Sequence, residues 1–385
     1  MLVALQIAVT LAIVINSLFI VVQRIDKMNR DSGIDVNNVI VSYVRGYGDD
    51  FDVVDSITND IDLLKSIPGV VTATVSNHVP LSGSGSGTGL RIVPDEMIDA
   101  VGSGRYVWSE EGLDALGVEL SRGRNFLPEE INYLLPETEY SAPASVLITQ
   151  DLANDLFGEE DALGKEVYWG SMEMSTVVGI IDHMHGSWVN WSNLNNVVIQ
   201  PGNPAQTTNK YIIRVEPGMR DQLIPQIEQQ LGASNPQRVV INVRSLEEMA
   251  ANSYRPDRGM AVILSIVIAL LVGLTVLVIL GLSSFHVTQR TKQIGTRRAL
   301  GAKRRDIVYQ FVLENWIITA VGSVLGIILT LAVGYWLEIS FELPRLNWRY
   351  LPLGIAVLWI MSTLAVVVPA RRAASVPPAV ATRSV

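Results

Sequence analysis

Four stretches of the chain are apolar almost without interruption: Met1 to Val22, Met260 to Phe285, Trp316 to Leu337, and Leu351 to Ala370. A helix crossing ~30 Å of hydrocarbon needs about 20 apolar residues, so each stretch predicts a transmembrane helix. Between the first two the pattern changes. Asn38 to Val44 alternates as a strand does, and Val53, Ile57, Ile61 and Leu64 then recur at helical spacing until Pro68-Gly69 stops them. Val70 to Val75 is strand-like again, completing a βαβ unit. The same order returns in Tyr211 to Val215, Gln222 to Leu231 and Val239 to Val243. Between these halves lie strand signals at Ser145 to Ile148, Thr176 to Ile181 and Val197 to Gln200, with a short helix at Leu152 to Phe157. The expected fold is an α-helical membrane protein with four transmembrane helices and an α+β two-lobed extracytoplasmic domain between helices 1 and 2, the second lobe inserted into the first.

Composition agrees. Only 17% of the 385 residues are charged and mean hydropathy is +0.30, whereas a soluble domain carries about 25% charged residues. Residues 23–258 hold 17 Lys and Arg against 34 Asp and Glu, a net −17, while the rest of the chain nets +8. The cations are gathered beside the apolar stretches rather than pooled on a large domain, which excludes nucleic acid as a favoured partner. With no cysteine, the domain uses no disulfide, Cys-based zinc site or thiol nucleophile.

Lys and Arg concentrate on the cytoplasmic side of a membrane. Seven lie between the second and third stretches (Arg290, Lys292, Arg297, Arg298, Lys303, Arg304, Arg305), and Arg371, Arg372 and Arg383 follow the fourth. The implied order is helix 1 over 1–22, an outside domain over 23–258, helix 2 over 259–285, a cytoplasmic segment over 286–315, helix 3 over 316–337, an outside loop over 338–350, helix 4 over 351–370 and a cytoplasmic tail over 371–385. One signal opposes this: Arg24, Lys27 and Arg30 follow helix 1 on the outside and nothing basic precedes it. A basic leader ahead of the numbered chain would resolve it. The first stretch shows no small-x-small cleavage pattern before Arg24, so it reads as a retained span rather than a signal peptide.

No segment specifies catalysis. Ser82 to Gly89 (SGSGSGTG) matches neither GxxxxGK[ST] nor GxGxxG and reads as a flexible loop. His183 and His185 would share a strand face, but without an HExxH they read as a surface strand end, not a metal site. Glu129-Glu130 and Glu159-Glu160 read as solvated pairs in an acidic domain, and no GxSxG occurs. Within helix 3, Gly322 and Gly326 form a GxxxG, which predicts close packing of that helix on helix 1 or 2.

The informative segment is Gln289 to Asn315, QRTKQIGTRRALGAKRRDIVYQFVLEN. Gly295 and Gly301 punctuate a basic run, after which Ile307, Val308, Phe311 and Val312 form an apolar stripe opposite Asp306 and Gln310. By composition alone it is a basic helix resting on anionic headgroups. In sequence, however, it resembles the RxxEIGxRRAxGA signature of MacB/FtsX-like (type VII) permeases of ABC transporters, through Arg290, Ile294, Gly295, Arg297, Arg298, Ala299, Gly301 and Ala302. Ser145 to Gly170 and Thr176 to His185 are similar to that family's periplasmic core domain, and Val368 to Arg383 to its PARRAxxxxPxxALR ending.

The resemblance implies a non-catalytic permease subunit in the bacterial inner membrane, with its large domain, of porter-like and sabre lobes, in the periplasm. It implies that the basic segment couples to a separate ABC ATPase through Arg290, Ile294, Gly295, Arg297, Arg298, Gly301, Arg304 and Arg305. Further implied partners are a second permease copy or paralogue, a periplasmic adaptor and an outer-membrane channel, with membrane lipid around the spans; no cofactor is implied. Efflux or export by mechanotransmission is the expected activity, with lipoprotein release or FtsX-like regulation of cell-wall hydrolases as alternatives. Two departures stand out: Gln293 occupies the family's acidic position, and the amphipathic leader before helix 1 is absent. No Walker A motif occurs in these residues, so ATP hydrolysis is expected on a partner chain.

Overall fold

The computed structural model describes residues 1–136, 141–170, 173–341 and 344–375. The C-terminal family motif beyond Ser375, and part of the expected loop 338–350, lie outside the described residues. The chain divides into two units, residues 30–255 and residues 1–29 with 256–385.

In the first unit, β1 (Val39–Gly46), α2 (Val53–Ser66) and β2 (Val70–Ser76) are joined from the far end of the domain by β12 (Thr208–Val215), α5 (Arg220–Ser234) and β13 (Arg238–Ser245). They make a four-stranded sheet in the order β13-β1-β12-β2, antiparallel at every step. Each strand–helix–strand unit is thus split by a strand from the other. Asp52 starts α2 by accepting from the amides of Val54 and Asp55 at 2.9 and 3.0 Å. The helix ends before Gly69, whose φ of +93° is costly for residues with a Cβ. Ile57 and Leu64 of α2 and Leu223, Ile227 and Leu231 of α5 cover Ile40, Val75, Tyr211 and Ile213 of the sheet. Inside this core Arg238 is paired with Asp60, 1% and 2% exposed, and Tyr211 donates to the same carboxylate at 2.7 Å.

The middle of the domain supplies β3 (Gly87–Arg91), β4 (Val101–Trp108), α3 (Gly112–Leu116), β5 (Leu120–Gly123), β7 (Ser145–Thr149), α4 (Gln150–Phe157), β8 (Glu166–Trp169), β9 (Glu173–Ile181) and β10 (Val197–Pro201). Their sheet runs β5-β9-β7-β10-β4-β3-β8 and closes on itself through β8–β9. Leu152, Ala153 and Leu156 of α4 pack into its core with Val146, Ile148, Val177 and Val198. A two-stranded piece, β6 (Tyr133–Leu134) with β11 (Asn203–Pro204), and helix α6 (Leu246–Ser253) complete the unit.

Several elements here differ from the sequence reading. The glycine-rich stretch is built in rather than left as a flexible loop: residues 87–89 belong to β3, and a Cβ on Gly85 would lie 2.7 Å from that of Ser187. β9 ends at Ile181, and His185 beyond it is 2% exposed, not at the surface. β3, β4, β5, β8 and α3 carry no clear periodicity because they are short, glycine-containing or covered on both faces.

Among the described residues, the other unit holds four helices long and apolar enough to cross a membrane, within α1 (Leu2–Met28), α7 (Arg255–Gln289), α9 (Arg304–Phe341) and α10 (Tyr350–Ser375). Between α7 and α9 lies α8 (Thr291–Ala299). Polar contacts bridge the helices, as is usual where no hydrophobic effect drives association. Thr10 meets Thr275 at 3.0 Å, Asn16 donates to the carbonyl of Thr330 at 3.2 Å, and Ser362 contacts Asn315 at 2.7 Å and Thr319 at 3.0 Å.

Candidate functional site

The motif residues of the basic segment converge on α8. Ile294, 7% exposed, enters a cluster with Ile279 of α7, Ile307 and Phe311 of α9, and Ala370 and Ala374 of α10, with Gly295 buried beside it. Arg290, at the start of α8, donates to both carboxylate oxygens of Glu314 at 2.8 and 2.9 Å. Glu314 also accepts from Gln310 at 3.1 Å, and the other end of the Gln310 amide accepts from Arg297. Arg298 donates to the carbonyl of Ala374 at 2.9 Å. The arginines therefore clamp α8 onto α9 and α10. Since Arg290 and Glu314 are 43% and 40% exposed, their pair alone adds little, under about 1 kcal/mol; the buried cluster and the linked polar contacts together hold the helix.

Local backbone chemistry shapes the exit. The amide of Ala302 bonds the carbonyl of Arg297 at 3.0 Å and that of Gly301 bonds Arg298 at 3.1 Å, a Schellman ending with Gly301 at φ +100°. Asp306 then accepts from the amide of Lys303 at 2.9 Å and caps α9. On the outer face of α8, Lys292, Gln293 and Thr296 are exposed, and at its tip Leu300 is 84% exposed. Arg304 and Arg305, at the start of α9, are exposed and take no part in the clamp. The acceptors of the clamp, Glu314, Gln310 and the Ala374 carbonyl, were not assigned from sequence; the only available signal was a carboxylate and an amide on the helix following a basic run.

Gly322 and Gly326 face α1. A Cβ on Gly322 would lie 2.9 Å from the Ala4 carbonyl oxygen and from the Ile7 Cβ, and one on Gly326 would lie 3.0 Å from the Leu11 Cβ. At the other end of α1, Arg24 and Lys27 reach Asp257 of α7 at 2.5 and 3.1 Å; Asp257 is 3% exposed.

Among the described residues of the large domain, no group of three or more His, Asp and Glu side chains is placed to hold a metal. The His183 and His185 rings stand 5.0 Å apart. Burial, aided by His183 and Arg30, lowers the His185 pKa to about 4. Glu130, rather than being merely solvated, is held at about 2 by Arg124 and accepts from the Leu127 amide and Ser145. Glu160 pairs with Lys165. These contacts tie Glu130 and Glu160 into their loops.

Among the described residues, four helices apolar enough to cross a membrane, a large α/β domain between the first and second, and a clamped cationic helix between the second and third are the layout of a membrane protein with a large domain outside the spans. Residues 265–378 match the FtsX-like permease C-terminal family, and residues 1–233 match the MacB-like periplasmic core domain. The chain belongs to the MacB/FtsX-like family of ABC transporter permeases. It is 23% identical over 301 residues to the macrolide export ATP-binding/permease protein MacB of Chromobacterium violaceum, covering 74% of this chain and 43% of that protein. It is 26% identical over 372 residues to the protein of the same name from Acinetobacter baylyi, covering 91% and 52%. The chain thus spans about half the length of the curated relatives it matches. Among solved structures it is similar to the periplasmic region of MacB from Actinobacillus actinomycetemcomitans, with 13% identity, 58% of this chain and 95% of that chain covered, and a TM-score of 0.36.

Proposed function

We propose that this chain is the permease subunit of an ABC transporter that transmits ATP-driven motion of a separate ATPase through its helices to the periplasmic domain, driving efflux or export. In this reading the subunit lies in the inner membrane with α8 in the cytoplasm, works beside a second copy or paralogue, and is non-catalytic. The porter-like and sabre lobes of the family correspond to the four-stranded and the closed sheets, and would engage an adaptor leading to an outer-membrane channel. The observation that carries the reading is the clamp on α8. A helix with an exposed face of Lys292, Gln293, Thr296 and Leu300, fixed by Ile294, Arg290, Arg297 and Arg298 to α9 and α10, passes a push on that face to the spans instead of absorbing it.

The two roles separate experimentally. Leu300→Asp alters the exposed tip without touching the clamp and is expected to reduce co-purification of the ATPase at least fivefold. Arg297→Glu with Arg298→Glu breaks the clamp and is expected to abolish transport at normal membrane level. Moving those two arginines to Gln289 and Thr291, with net charge unchanged, should not restore transport. Full ATPase binding and transport by the relocated variant would show that position is immaterial and remove the coupling role from Arg297 and Arg298.

A further inference from the structure

We propose that Arg304, Arg305 and Arg371 form a binding site for the phosphate headgroup of an anionic phospholipid. The three guanidiniums line one cavity of about 760 Å³ between the start of α9 and the end of α10. Its remaining wall is largely apolar, from Val308, Tyr309 and Val312. Tyr309 is 61% exposed, an uncovered aromatic beside the cations.

Three observations select the ligand. First, charge: among the described residues none of the three arginines has a carboxylate partner, in contrast to Arg290 with Glu314. The one acid in the cavity, Asp306, is engaged with the Lys303 amide and offsets a single charge, leaving a surplus of two positive charges. The amino end of α9 adds the partial positive charge of its helix dipole. Second, depth: the apolar run of the last span ends at Ala370, so Arg371 is its first charged residue, at the level where headgroups replace acyl chains. Third, wall chemistry: a free phosphate would gain nothing from Val308, Tyr309 and Val312, whereas the first methylenes of an acyl chain would. Basic pockets between transmembrane helices are suited to such headgroups, each nearby cation favouring them. A lipid carrying two phosphates matches the surplus best.

Native mass spectrometry of the full detergent-solubilised chain with added lipid tests this. Cardiolipin is expected to bind at least tenfold more tightly than phosphatidylcholine. Arg305→Gln with Arg371→Gln should erase that preference. Lys292→Gln with Lys303→Gln removes the same charge from neighbouring residues that do not line the cavity, and should change cardiolipin affinity less than threefold. Equal losses in both variants would reduce the effect to general surface attraction and overturn the site. Glycerol 3-phosphate displacing cardiolipin at comparable concentration would assign the arginines to a soluble phosphate instead. If the Arg305/Arg371 variant keeps its lipid but loses the ATPase on co-purification, the guanidiniums serve the partner and the proposal is wrong. Should that variant fail to purify, the wild-type preference decides, and its absence counts against the site. ATPase co-purification is read separately, so failure here leaves the coupling role of α8 intact.

Discussion

Asp257 accounts for a place where the charge distribution runs against the orientation expected from the rest of the chain. Arg24 and Lys27 follow the first apolar stretch, on what the expected topology makes the outer side, where few cations belong, and the structure gives them a shared, nearly buried carboxylate from α7. The cations are legible in the sequence, but their counter-charge lies more than 200 residues away and only folding brings it near. The same holds for Arg290, whose partner Glu314 is 24 residues on. A carboxylate 3% exposed with two cations, themselves 26% and 19% exposed, is asymmetric. Removing it leaves two like charges facing each other, whereas removing one cation leaves a pair. Asp257→Asn is therefore expected to cost about 2 kcal/mol, read as a lowered melting temperature of the detergent-solubilised chain. Arg24→Gln should cost clearly less. Equal losses would show that the carboxylate is not shared.

At the level of elements, periodicity revealed what repeats and missed what does not. The four apolar stretches, α2, α4, α5 and the strands flanking them are evident because burial on one face imposes spacing. β3 is not, since Gly87 and Gly89 carry no side chain to pattern; their reason emerges only in space, where a Cβ on Gly89 would sit 2.7 Å from that of Ala100. His185 was similarly obscured, because it lies beyond the end of β9 and its amide bonds the carbonyl of Ser32, more than 150 residues earlier. The GxxxG of α9 was visible as a pattern but not its partner helix. With α1 backbone and Cβ atoms about 3 Å from the added Cβ positions, Gly322→Leu with Gly326→Leu must separate α1 from α9, at a cost of about 2 kcal/mol or more. Gly273→Leu on α7 has nothing within 4 Å of its Cβ and should leave the melting temperature nearly unchanged. Equal behaviour of the two variants would exclude α1–α9 packing as a source of stability.

Over the whole molecule, the division between an acidic domain and apolar helices flanked by cations is plain from composition, and the expected topology rests on it rather than on any motif. What composition could not show is that the motif arginines bond the neighbouring helices. Three of them hold α8 to its neighbours, while the surface offered outward is Lys292, Gln293, Thr296 and Leu300. In the proposed function, that arrangement is what lets α8 serve as a rigid input rather than a flexible tether. The absence of cysteine allows a direct reading of the output. Val71, 57% exposed on β2, can be replaced by cysteine and spin-labelled without competing thiols. The most direct test of the account is the label-to-label distance between two copies in the assembled complex with its ATPase, measured by pulsed electron paramagnetic resonance with and without ATP. If α8 transmits the motion of the ATPase, the distance distribution shifts on ATP addition in the wild-type background and stays fixed when Arg297→Glu and Arg298→Glu are present. An unchanged distribution in the wild-type background, while the ATPase turns over, would contradict it.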